Sequence, residues 1–202
     1  MTTQDEYQVE EGRNPIVLVI GGIVLLLATA FLIFNGTLSG DGSAAEAPAS
    51  DVVLPQTGPP LTVGDLAYEF ELQDLDGNTV ALSDHLGKPI IINYWASWCA
   101  PCRIEMPELQ ATHEAYRDQD LVILALNQDE TADTARIFFE GMGLTFTNPL
   151  LDVDVAVADN YGVRNLPTTM FINEEGVITA IHRGPATRGQ FDGYLAETLS
   201  AN

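Results

Sequence analysis

Positive charge is scarce in this chain of 202 residues: Lys and Arg number 8 against 29 Asp and Glu, for a formal net charge of −21. Binding a phosphate backbone needs a basic footprint, so nucleic-acid binding is excluded. Charge of either sign is limited to 18% of residues while 46% are hydrophobic, which excludes a disordered chain and leaves ample material for a packed core. Cysteine is scarcer still. Two residues three positions apart, Cys99 and Cys102, cannot build a disulfide-dense scaffold. Internal repeats are also missing, and the length fits one domain plus additional sequence.

One long hydrophobic run is present. Ile16 to Phe34 gives 19 residues without a charge. A helix of that length spans roughly 28 Å, close to the hydrocarbon thickness of a bilayer. The run exceeds the roughly 7–15 residues of a signal-peptide core, and an acidic flank with Asp5, Glu6, Glu10 and Glu11 precedes it. Ala45-Glu46-Ala47 resembles a cleavage site, but Pro48 follows it directly. The expectation is an uncleaved transmembrane anchor over 16–34, with a cleaved signal peptide as the competing reading. No cysteine follows the run, so a lipid anchor is not expected. Arg13 is the sole cation near either end, and the next is Lys88. By the positive-inside rule, residues 1–15 are cytoplasmic and the remainder lies outside, in the periplasm or cell exterior. Residues 35–60, rich in Gly, Pro, Ala and Ser and without apolar periodicity, read as a flexible linker.

From Leu61 to the end the pattern becomes that of a folded domain. Phe70–Leu72 and Val80–Leu82 flank Asp76-Gly77, a hairpin signal. Pro89 to Trp95 is a continuous apolar run suited to a buried central strand, and Leu121 to Leu126 is a second. Helices are expected over Cys99–Arg117, Thr131–Met142, Val155–Tyr161 and Gln190–Leu199. Thr168–Ile172 and Val177–Ile181 form another hairpin around Asn173-Glu174-Glu175-Gly176. The sum is an α/β layered domain. Residues 61–202 hold 22 acids and 7 bases, a balance that favours basic over acidic partners.

Trp98-Cys99-Ala100-Pro101-Cys102 is the most specific feature. The preceding strand delivers Cys99 to a helix amino terminus, where free N–H groups and the helix dipole favour a thiolate. Cys102, one turn on, is near enough to close a short disulfide. The pair suits a cycle in which Cys99 attacks a client disulfide and Cys102 resolves the mixed disulfide. A structural zinc site would need two more ligands at suitable spacing, and His85, His113 and His182 are scattered. No metal is expected. Haem attachment would place a histidine after Cys102, where Arg103 stands. An inert structural disulfide remains the bland alternative.

The stretches Asn93-Tyr94-Trp95-Ala96-Ser97-Trp98-Cys99-Ala100-Pro101-Cys102-Arg103-Ile104-Glu105-Met106-Pro107 and Tyr161-Gly162-Val163-Arg164-Asn165-Leu166-Pro167-Thr168-Thr169 resemble membrane-anchored thioredoxin-fold proteins of the TlpA/ResA type, in the redoxin branch. The resemblance implies a thioredoxin-like fold: a central mixed sheet flanked by helices, with an extra amino-terminal β-hairpin, here preceded by the transmembrane helix. It implies a thiol–disulfide oxidoreductase with no cofactor beyond the redox-active Cys99–Cys102 pair. Clients would be apocytochrome c or copper-handling proteins, and a membrane conduit would return electrons. It also implies a cis Leu166–Pro167 bond packed against the cysteine pair. With Trp98 adjoining the nucleophile, the expected client surface is Trp98, Pro101, Leu166, Pro167 and Thr168. Glu105 has two readings: an ordinary acid in the early turns of a helix, or the proton acceptor for Cys102. Asn93 stands where thioredoxins carry a buried acid, which favours the second. Pro107 kinks the helix.

Two other functions compete. A redoxin-type thiol peroxidase would want Pro and Thr or Ser arranged before its cysteine, and Ala96-Ser97-Trp98 does not supply them. A copper metallochaperone would use the two soft thiolates, with no nearby Met or His to complete the site. An oxidant in place of a reductant also stays open, because direction follows the potential.

Overall fold

The computed structural model describes residues 52–147 and 149–201. The expected anchor at 16–34 lies outside the described residues, and among these no helix is long and apolar enough to cross a membrane.

Seven strands form one mixed sheet in the order β2-β1-β5-β4-β3-β6-β7. They are β1 Glu71–Asp74, β2 Thr79–Ala81, β3 Ile90–Trp95, β4 Val122–Gln128, β5 Leu150–Asp152, β6 Thr168–Ile172 and β7 Ile178–Arg183. The helices are α1 Ala100–Ala115, α2 Ala132–Gly141, α3 Ala156–Asn160 and α4 Arg188–Ser200. β3 runs parallel to β4, and β4 to β5, while β6 pairs antiparallel with β3 and β7 antiparallel with β6. The sheet is thioredoxin-like, with the amino-terminal hairpin β1–β2 joined to it through β5. That hairpin turns on Asp74, whose Oδ1 accepts the N–H groups of Asp76 and Asn78, each at 2.9 Å. Gly77 takes φ 84° in the turn, where a Cβ would be strained.

Alternation along β3 divides two cores. Ile91 and Trp95 face one side of the sheet, and Ile90, Ile92 and Tyr94 face the other. Trp95 packs on Phe138 and Phe139 of α2 at ring-centroid distances of 4.8 and 5.2 Å. Both faces of β3 are covered, which is why it reads as an unbroken apolar run.

The domain begins before Leu61. Leu54 is buried, the Pro55 carbonyl accepts Glu69 N–H at 2.7 Å, and the Pro59 carbonyl accepts the Tyr68 hydroxyl. The segment expected to end a flexible linker at residue 60 is thus held to the domain from Leu54 onward, because Leu54 and Leu61 are buried at its two ends while the exposed residues between them offer carbonyls to donors on the domain. β5 has only three residues and no expectation anticipated it. Helix bounds shift by one or two residues; Cys99 caps α1 and Thr131 caps α2, instead of lying inside them.

Candidate active site

β3 ends at Trp95, the chain turns through Ala96-Ser97-Trp98, and Cys99 becomes the N-cap of α1. Cys99 N–H donates to the Ala96 carbonyl at 3.1 Å, which closes the turn. Pro101 occupies the first helical turn, where its missing N–H costs no hydrogen bond. The Cys102 N–H donates to Cys99 Sγ at 3.2 Å, so a helix-terminal donor is aimed at the sulfur that carries negative charge when reduced. Cys99 and Cys102 are bonded, with an S–S length of 2.02 Å. Both residues are buried in the oxidised form, with Cys99 lining a groove and Cys102 one turn into the helix.

A groove of about 490 Å³ opens over Cys99. Its lining comes from three parts of the chain: Trp98, Ala100 and Pro101 beside the nucleophile, Val163 to Leu166 before β6, and Gln128 at the end of β4. Trp98 is 69% exposed, a large aromatic presented to solvent beside the sulfur. The Leu166–Pro167 peptide is cis. Pro167 is buried, and its carbonyl accepts Gly184 N–H at 2.9 Å. Thr168, expected beside the client, does not line the groove. It is 1% exposed and its hydroxyl donates to the Asn165 carbonyl at 2.8 Å, bracing the loop from beneath. Of the five residues expected to meet a client, Trp98, Pro101 and Leu166 face the groove, while Pro167 and Thr168 support it.

Glu105 is not an ordinary helix acid. It is 1% exposed, and three groups donate to its carboxylate: Asn93 Nδ2 at 3.1 Å, Ala186 N–H at 3.1 Å and the Thr169 hydroxyl at 3.4 Å. Burial pushes its pKa up from 4.5 to about 7 against the opposing pull of these hydrogen bonds. Asn93 Nδ2 also donates to Thr169 Oγ1 at 2.9 Å, whereas Asn93 Oδ1 is buried without a partner. Pro107, inside α1, leaves the Arg103 carbonyl without its intrahelical donor. Among the described residues no group of three or more Cys, His, Asp and Glu is placed to hold a metal.

Residues 63–181 match the AhpC/TSA family. The thiol-disulfide oxidoreductase ResA of Bacillus subtilis is 31% identical over 173 residues, covering 86% of this chain and 87% of that protein. The chain belongs to the AhpC/TSA family, in its ResA-like group. ResA of Halalkalibacterium halodurans is 36% identical over 132 residues, 65% of this chain and 74% of that one. Among solved structures, the thiol:disulfide interchange protein DsbE of Chlorobium tepidum superposes with a TM-score of 0.63 at 28% identity, covering 70% of this chain and 98% of that chain. This ResA-like chain is a thiol–disulfide oxidoreductase, and its relatives' names are consistent with protein-disulfide reductase activity.

Sequence reasoning missed Gln128 and the Val163–Asn165 wall, and it missed Thr169 and Ala186 as partners of Glu105. Their positions at strand ends and in loops around a known Cys pair were the available signal for the first set. The second set had none, since the partners come from segments far apart in the chain.

Proposed function

We propose that the Cys99–Cys102 pair serves as a reductant of client disulfides outside the cytoplasm. Glu105 carries this reading: a buried acid with a pKa of about 7, three positions along α1 from a fully buried resolving thiol. A buried thiol must lose its proton before it attacks, and a base whose pKa lies near the working pH serves that transfer best.

In the proposed cycle the Cys99 thiolate attacks one sulfur of the client. The client S–S bond breaks, a Cys99–client bond forms, and the leaving sulfur takes a proton from solvent. Cys102 then passes its proton to Glu105 and attacks Cys99 Sγ, releasing the second client sulfur as a thiolate. Two electrons pass from the dithiol to the client, and the pair closes to the bonded form. Asn93 fits this exchange. Rotation of its amide would bring the unpartnered Oδ1 toward a protonated Glu105, so the network has an answer to either protonation state.

The groove beside Cys99, lined by Trp98 and Leu166 among others, suits an extended client segment. The acid excess of residues 61–202 favours basic clients. Family resemblance supports apocytochrome c or copper-handling assembly proteins as those clients, and a membrane thiol conduit as electron donor. An anchor over 16–34 with residues 1–15 in the cytoplasm would hold the domain beside such a conduit. The test is the reduction potential of the pair in the full chain, by thiol trapping across a redox series. A value near or below about −220 mV is expected; one near about −120 mV would make the protein an oxidant and overturn the reading.

A further inference from the structure

Glu130 follows β4 by two residues and belongs to none of the groups described so far. Its carboxylate reaches back across the carboxyl ends of the two central parallel strands. Oε2 accepts the Ser97 backbone N–H at 2.8 Å and Asn127 Nδ2 at 2.7 Å, and Oε1 accepts the Ser97 hydroxyl. Ser97 lies in the turn that delivers Cys99, outside every helix and strand, so this carboxylate is what satisfies its N–H. Asn127 sits opposite Trp95 in the β3–β4 register, which places all three groups at one strand end. The turn between them is specialised. Asp129 takes φ 55°, a left-handed conformation uncommon outside glycine, and its N–H donates to the Asp152 carbonyl at 3.2 Å. Among the described residues no Lys, Arg or His forms an ion pair with Glu130, so its contacts are those of a hydrogen-bond acceptor.

We infer that Glu130 is a positioning residue: its carboxylate pins Ser97, and with it the Trp98–Cys99 turn, to the end of β4, so that Cys99 stays on the amino terminus of α1 when its bond to Cys102 opens. In the oxidised protein the disulfide itself ties Cys99 to the helix. In the dithiol that tie is gone, and the clamp keeps the sulfur against the Cys102 N–H. The inference rests on the dithiol chemistry of the pair, not on its clients or redox direction.

Three variants of the full chain separate geometry from charge. Gln at 130 keeps the clamp: its oxygen accepts from Ser97 N–H and Asn127, and its amide donates to the Ser97 hydroxyl, which accepts as readily as it donates. Asp keeps the charge but is one methylene short, and Ala keeps neither. The readout is the rate of alkylation of Cys99 in the reduced protein as a function of pH, with thermal denaturation of the oxidised form as the control for folding. Glu130→Ala and Glu130→Asp are expected to move the Cys99 titration to higher pH and slow alkylation at pH 7 by about three- to ten-fold, while Glu130→Gln tracks wild type. If the Ala variant does not fold, the Asp and Gln variants carry the same comparison. A purely electrostatic role predicts the opposite sign, with Ala and Gln both moving the titration to lower pH. That outcome overturns the inference, as does Gln behaving like Ala in either direction, or a titration unchanged in Ala and Asp whatever the melting temperature.

Discussion

Replacing Glu105 by Gln removes one titration while keeping the shape of the side chain. In the fold Glu105 titrates at about 7, against 4.5 for an unburied glutamate, because burial outweighs the hydrogen bonds from Ala186, Asn93 and Thr169. The folded state thus holds this proton more tightly than the unfolded chain. Below about pH 4.5 both states are protonated and the group contributes no slope. Between there and about pH 7 the unfolded chain loses the proton first, so wild-type stability falls as pH rises. Above that the full penalty is present. The gap between 4.5 and about 7, at about 1.4 kcal/mol per pH unit, amounts to roughly 3 kcal/mol. Glu105→Gln carries no such slope. Urea denaturation of both oxidised proteins from pH 4.5 to 8.5, followed by the fluorescence of buried Trp95, reads the difference directly. Wild type should lose roughly 3 kcal/mol relative to the variant across that range. His85 and His113, whose pKa values burial lowers, titrate in both proteins and cancel. A difference that stays flat from acid to alkali would refute the reasoning, since Glu105 would then be unable to exchange a proton near neutrality.

Removing the resolving thiol tests the division of labour between the cysteines. Cys102→Ala should accumulate a Cys99–client mixed disulfide visible on a non-reducing gel, and Cys99→Ala should form none; adducts on Cys102 would reverse the assignment. Trp98 is exposed, so Trp98→Ala should change unfolding free energy by less than about 0.5 kcal/mol. The same variant should raise KM for protein disulfides by about three- to ten-fold, through loss of an aromatic docking contact. An unchanged KM would remove Trp98 from the client surface.

How much of this was legible in the sequence follows from how local each feature is. The β3 run and the Cys-Ala-Pro-Cys motif sit in one contiguous stretch, and a strand followed by a helix amino terminus is enough to place the nucleophile. β5 escaped notice because three residues carry no period, and its pairing to β4 and β1 exists only once the sheet is assembled. Thr168 shows the limit from the other side: the family resemblance suggested a client contact, yet every residue of β6 is buried and the Thr168 hydroxyl is taken up by the Asn165 carbonyl. The two carboxylates are the sharpest contrast. Glu105 stood out because it lies one turn beyond Cys102, but its raised pKa comes from burial in the assembled fold, against hydrogen bonds from partners 12, 64 and 81 positions away. Glu130 had no such neighbour in sequence, and nothing local sets it apart among 29 acids. What distinguishes it is a bond to Ser97 across 33 positions, made where β3 and β4 end side by side. Motifs declare the atoms that react, whereas the groups that tune and hold those atoms are set by tertiary contact. In this fold such groups are most readily sought at the strand ends bordering the motif.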